Sequence, residues 1–271
     1  MKTILVINDD SHQAEHAAKF AVKIAHMMQT AIILANTVPV KKITERVLVG
    51  LDGGYTIDQE DKAVKQLIIN DYDLKSFQPP ISEVDISALN ATDLAQMIRK
   101  NDILMVVKGM PDTSYSTGKL NIHAVLNKVQ CPLLLVPETW KIKKIERLVY
   151  IADLRFCRTL MVKYLASIAK TCNAALSVAH LSAKGIPDME ENYANSVFKE
   201  QVVDKLEYKN LYFNNIKEKD LKKALDVIIH GLHNDILAFV NHRFHFTEIL
   251  GRYLTDVLPE NITVPLLIFP Y

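Results

Sequence analysis

One half of this chain repeats the other. Ile4-Leu5-Val6-Ile7-Asn8-Asp9 opens it, and Leu148-Val149-Tyr150-Ile151-Ala152-Asp153 returns at an offset of 144. The offset holds without a gap to Val38 and Ser182, through Lys19/Lys163, Ile24/Ile168, Ala25/Ala169, Ala31/Ala175 and Ala35/Ala179. A second block, Asn101-Asp102-Ile103-Leu104, returns as Asn234-Asp235-Ile236-Leu237 at an offset of 133. Pro132-Leu133-Leu134 and Pro137 return as Pro265-Leu266-Leu267 and Pro270 at that same offset. The blocks keep their order, so the halves share one fold, and the first is 11 residues longer in its middle. Two domains are expected, residues 1–138 and 146–271, each long enough to bury a core.

Ile4–Ile7 is a short apolar run, as in a strand covered on both faces. Ala14, Ala17, Ala18, Ala21, Ile24, Ala25 and Met28 then mark one face of a helix, matched by Met161, Leu165, Ile168 and Cys172. Ala31–Asn36 and Ala175–His180 read as the next strands and complete a βαβ unit in each half. Helices are predicted over Asp61–Ile69, Ala91–Lys100, Glu190–Leu206 and Asp220–Leu232, and strands over Ile81–Ile86 and Leu211–Phe213. Each half closes with a helix and an apolar strand, Leu133–Val136 or Leu266–Phe269, introduced by a proline. The fold class is therefore α/β: two tandem, doubly wound, five-stranded parallel-sheet domains. Glu138–Glu146 reads as the connector, with Lys141, Lys143 and Lys144 solvated.

Charge excludes one partner class. The net charge is +1, and residues 1–138 carry 14 basic and 16 acidic side chains. That is too little basic excess for sequence-independent nucleic-acid binding. No run of about 18 apolar residues is present, so no membrane span is expected. Met1-Lys2-Thr3 runs straight into a strand and leaves no room for a signal peptide. Cys131, Cys157 and Cys172 form no Cys-x-x-Cys pair and read as reduced thiols of a cytoplasmic protein.

These motifs, in this order and duplicated, resemble the universal stress protein family in its tandem form. The resemblance rests on the Ile-Leu-Val-Ile-x-Asp opening, its copy ending Ile151-Ala152-Asp153, the Asn-Asp-Ile-Leu strand starts, and the closing segments from Cys131-Pro132 and Val264-Pro265. It implies an adenine nucleotide alpha hydrolase-like fold with sheet order 3-2-1-4-5. It also implies pairing through the closing strands, here within one chain as a pseudo-dimer. An edge as apolar as Leu133–Val136 needs such cover. A homodimer through helix faces is left open.

In ATP-binding relatives an aspartate matching Asp9 and Asp153 contacts the adenosine part, while the alternative is a carboxylate that caps the following helix. Those relatives also carry Gly-x-x-Gly-x9-Gly-Ser/Thr after the fourth strand. Counting from Gly109, this chain has Asp112 and Ile122 where the second and third glycines fall. The second half has Asn241-His242-Arg243-Phe244-His245 there, with no glycine. Only 8 glycines occur in the whole chain, against roughly 19 at an ordinary usage of about 7%. Gly118-Lys119 and Gly251-Arg252 survive at equivalent places and suit either one phosphate or sulfate, or a loop and helix-end glycine with a solvated neighbour. Gly50 and Gly53-Gly54 read as a surface turn.

Nucleophilic catalysis finds no support. No Gly-x-Ser-x-Gly elbow is present, and Cys157 near a helix start has no visible base. His230/His233 and His242/His245 are spaced for one helical face, but nothing in sequence completes a metal set. The expectation is a non-enzymatic stress-response protein with degenerate ATP loops, no cofactor, and an unknown protein partner or small ligand. Its likeliest ligand places are the crevices near Asp9/Gly109 and Asp153/His242, unless Phe244, Phe246 and Met110 fill them. The alternative is an ATP-binding switch or slow ATPase. There Asp9 and Asp153 hold adenosine, and Lys108, Lys119, Arg243 or Arg252 meet the phosphates.

Overall fold

The computed structural model describes residues 2–38, 77–111, 122–252, 254–255 and 257–271. The strands of the first half are β1 (Thr3–Asn8), β2 (Ala31–Asn36), β3 (Ile81–Asp85), β4 (Ile103–Met110) and β5 (Leu133–Pro137). Those of the second are β6 (Arg147–Ala152), β7 (Ala175–Leu181), β8 (Leu211–Ile216), β9 (Ile236–Val240) and β10 (Leu266–Phe269). All ten lie in one sheet, in the order β3-β2-β1-β4-β5-β10-β9-β6-β7-β8. Each half therefore runs 3-2-1-4-5, and every pairing is parallel except β5 with β10. That antiparallel contact pairs Leu133, Leu134 and Leu135 with Ile268, Leu267 and Leu266. All six side chains are buried, so each closing strand covers the other's apolar edge.

Among the described residues, helices lie in the crossovers. They are α1 (His12–Met28), α2 (Ala91–Lys100), α3 (Ile122–Leu126), α4 (Thr159–Cys172), α5 (Glu191–Gln201), α6 (Leu221–Asp226) and α7 (Phe244–Leu250). In α1, the Ser11 hydroxyl accepts from the Ala14 N–H at 3.1 Å, satisfying a first-turn donor. Glu15 and Lys19 pair at 2.8 Å one turn apart. Its buried face is Ala14, Ala17, Ala18, Ala21 and Ala25 around Phe20 and Ile24. Small side chains let the helix axis come close to the sheet. Gln29 ends it in the left-handed region (φ 52°), as Asn173 ends α4 (φ 52°).

Several elements differ from expectation. The helix read over Glu190–Leu206 ends at Gln201, and a 3-10 turn follows over Val203–Lys205. The one read over Asp220–Leu232 is α-helical only to Asp226, then widens into a π turn over Val227–Gly231. There the Asn234 side chain donates to the Ile228 carbonyl at 2.7 Å and closes the helix end. Asn101 does the same in the first half, donating to Met97 O at 2.8 Å. The helix read over Asp61–Ile69 and the glycines Gly50, Gly53 and Gly54 lie outside the described residues.

The connector is not simply solvated. Lys143 Nζ lies 2.6 Å from Asp235 Oδ1, while Asp235 Oδ2 accepts from the N–H groups of Glu146 (2.7 Å) and Arg147 (3.0 Å). Asp235 is buried, and so ties the connector to the start of β9. Asp235→Ala leaves two backbone donors unsatisfied. It should cost about 2–4 kcal/mol in urea unfolding, and Asp235→Asn, which keeps an acceptor, should cost less than half of that.

Candidate functional site

In each half the strand order reverses next to the first strand, between β1 and β4 or between β6 and β9. Open α/β sheets bind ligands at this point, beyond the carboxyl ends of the strands. In the second half the place is occupied by the chain itself. Phe156, Arg243, Phe244 and Phe246 close over Tyr150, Ala152 and Val240, and about 20 Å³ remains free. A single water needs on the order of 10–15 Å³ of such space. The Phe156 and Phe244 rings lie 5.4 Å apart across the mouth, and Phe246 is fully buried. Arg158 and Arg243 both stack on the Tyr271 ring, at 4.8 and 4.9 Å.

Asp153, at the end of β6, is buried and already partnered. Arg155 Nε donates to Oδ1 and Nη2 to Oδ2, both at 2.7 Å. The N–H of Arg155 adds a bond to Oδ1 (3.1 Å), and that of Ala183 one to Oδ2 (3.2 Å). Burial pushes this carboxyl upward, but the Arg155 and backbone hydrogen bonds outweigh it and hold the group below its ordinary range. A ribose hydroxyl would have to displace a bidentate guanidinium. The residues present at the second crevice do not fit a nucleotide.

The first half places its residues differently. Asp9 is half-buried and accepts from both the N–H and the hydroxyl of Ser11, so Ser11, not the aspartate, caps α1. Gly109 sits in β4 against the first turn of α1. A Cβ there would lie 2.1 Å from the Gln13 carbonyl oxygen and 2.4 Å from its carbon. Its bare backbone thus faces a helix of its own chain. Lys108 is buried in β4, with Nζ 3.9 Å from the Met110 sulfur, and Met110 is buried too. Asp112, Gly118 and Lys119 lie outside the described residues. Gly251 caps α7 with φ 82° and ψ −172°, a conformation that favours glycine with no neighbour pressing on it, and Arg252 beside it is exposed.

A larger space opens one strand further out. About 630 Å³ lies beyond the carboxyl ends of β7 and β8, floored by the Ser182–Asp188 loop and walled by Ile216, Leu221 and Glu248. Side chains beside the crevice pin the loop. Asp153 accepts from Ala183 N–H, Arg155 Nη1 donates to Pro187 O at 2.9 Å, and Glu248 Oε1 accepts from Lys184 N–H at 3.0 Å. Two buried histidines lie directly behind. His180 Nδ1 accepts from the Leu154 N–H at 3.1 Å, and His245 Nδ1 lies 3.5 Å from Glu248 Oε2. Burial holds both imidazoles below their ordinary pKa.

Sequence spacing had grouped His245 with His242, and the fold separates them. His242 has φ 55° and reaches Asn127 of the first half at 3.0 Å, with Asn241 donating to the same oxygen at 2.8 Å. His242 therefore joins the halves. Among the described residues no group of three or more His, Cys, Asp or Glu side chains is placed to hold a metal. Burial pushes the Cys157 thiol up to about 12, which keeps it protonated and unreactive at neutral pH. Arg155, Phe156, His180 and Glu248 were not singled out from sequence. Arg155 alone left a local signal, two residues beyond Asp153.

The fold defines a doubly wound α/β protein. The chain belongs to the universal stress protein family, whose sequence model, "Universal stress protein family", matches residues 1–137. No curated protein sequence matches it. Among solved structures it is similar to a universal stress protein from Archaeoglobus fulgidus DSM 4304 (12% identity, TM-score 0.61, covering 99% of this chain and 98% of that one). A functionally unknown protein from Pseudomonas aeruginosa PAO1 is similar at 10% identity and TM-score 0.53, covering 100% and 92%. So is the cytoplasmic domain of a prokaryotic cation chloride cotransporter, at 10% identity and TM-score 0.55, covering 98% and 94%. Among the described residues no helix is long and apolar enough to cross a membrane.

Proposed function

We propose that this universal stress-type protein works by binding rather than by catalysis, with its ATP loops degenerate and its ligand site moved outward to the groove beyond β7 and β8. The observation that carries this reading is the second crevice, reduced to about 20 Å³ and with its aspartate clamped by Arg155. The groove's 630 Å³ lies in the usual range for small-molecule sites, about 300–1,000 Å³. Leu181, Ile186, Ile216 and Leu221 give it an apolar lining, and Lys184, Lys219, Asp188 and Glu218 charges of both signs. A small molecule with an apolar body and polar ends suits it better than a triphosphate, which three carboxylates would oppose.

The halves act as one internally paired unit, supported by the β5–β10 contact. All three cysteines are free, which supports a reducing cytoplasm. The cotransporter domain of similar fold supports work alongside a protein partner, since there this fold is part of a larger transport protein.

Thermal unfolding with ATP and Mg2+ tests the reading. A ligand at 100 times its dissociation constant adds about 2.7 kcal/mol. Titration to millimolar nucleotide should leave the midpoint unmoved, whereas small amphiphilic molecules should shift methyl NMR signals of Ile186 and Ile216. A nucleotide-dependent rise in the midpoint would overturn it.

A further inference from the structure

The Ser182–Asp188 loop is held by two carboxylates, and each has a buried histidine beside it. Asp153 holds Ala183 N–H, and Glu248 holds Lys184 N–H. His180, on β7, faces Asp153, Arg155 and His245, while His245, on α7, faces Glu248 and Asp153. Both rings are almost wholly buried, and neither Nε2 has a hydrogen-bond partner.

Neutral rings suit this arrangement. His180 Nδ1 accepts from Leu154, so its one proton sits on Nε2. A second proton would sit on Nδ1 and eject that bond. The new cation would then need Asp153, which Arg155 and Ala183 already share. A proton on His245 gives Glu248 Oε2 a charged partner 3.5 Å away, and closing that gap turns the carboxylate whose other oxygen, Oε1, holds the Lys184 N–H at 3.0 Å. Each protonation redirects a carboxylate from the loop to a histidine.

We propose that the groove beyond β7 and β8 is acid-gated: protonation of His180 or His245 withdraws Asp153 or Glu248 from the Ser182–Asp188 loop and frees the groove floor. The gate rests on the ligand-groove reading for its purpose, but its motion needs no ligand.

Amide hydrogen exchange of the full chain, without ligand and corrected for intrinsic rates, tests it. Protection at Ala183 and Lys184 should fall about tenfold between pH 7.5 and 5.5 through a local opening that low urea leaves unchanged, whereas Val149 in β6 exchanges by global unfolding and loses protection with urea. His245→Gln should retain protection at Lys184 at the lower pH. Glu248→Gln, a milder change on a partly exposed side chain, should lower Lys184 protection at pH 7.5 and make it independent of pH. Unchanged protection at both amides in the unsubstituted protein, or a loss there that grows with urea as it does at Val149, would overturn the gate. Failure of every small molecule to bind the groove would instead sink the functional reading and leave the gate standing.

Discussion

Gly109→Ala will lower the thermal midpoint by about 6–12 °C, from a loss of about 3 kcal/mol at the upper end of what overpacking usually costs. The added methyl meets main-chain atoms, the Gln13 carbonyl oxygen at 2.1 Å and carbon at 2.4 Å. No rotamer change relieves that contact, so α1 must lift from β4. Lifting it loosens the buried face of Ala14, Ala17, Ala18 and Ala21. Two comparisons sharpen the test. Gln13→Gly should give no rescue, because the colliding atoms are backbone. A glycine kept for phosphate approach would behave differently, since alanine there would spare the ligand-free protein and weaken only a ligand complex. A midpoint within a degree or two of the parent would refute the packing role.

That result bears on why the sequence pattern around Gly109 is ambiguous. Both a phosphate cradle and close helix–strand packing require a missing Cβ, and a single sequence does not separate them. The strand and helix pattern is far less ambiguous. Ala31–Asn36, Ala91–Lys100 and Leu266–Phe269 fold within the limits their periodicity sets. Apolar period and capping residues act over one or two turns, so a linear reading captures them. Local reading fails where a distant partner decides the outcome. Lys143, for example, is fixed by Asp235, 92 positions later.

The candidate site follows the same rule. Asp9 and Asp153 stand out because they end repeated strands, but their partners do not. Whether a carboxylate is free or clamped depends on Arg155 folding back over its neighbour. His180 and His245 meet only because the end of β7 lies beside α7. A spacing of three in sequence pointed instead to His242, which the backbone at φ 55° turns toward the other half.

Acid will destabilise the whole protein well before its carboxylates titrate. Burial lowers His180 and His245 in the folded state, and lowers the half-buried His123 at the junction with the second half by a similar cause. In the unfolded chain a histidine binds its proton near its ordinary value of about 6.5. Below that pH the unfolded state therefore takes up protons more readily than the folded state does. Stability is complete above about 6.5 and declines as the pH drops toward the folded values, with each fully buried ring contributing up to about 1.4 kcal/mol per pH unit. Asp153 pushes the same way but later. Its carboxyl lies below the ordinary range, so its contribution persists until the pH falls under about 4. Urea unfolding at pH 7.5, 6.5 and 5.5 should thus show a steepening loss that belongs to imidazoles. His180→Asn, which keeps a side-chain acceptor for Leu154 without a titrating ring, should remove about one proton from that slope. Equal stability at pH 7.5 and 5.5 would mean that the folded rings accept protons as readily as the unfolded ones, and the enclosed environment drawn here for His180 and His245 would be wrong.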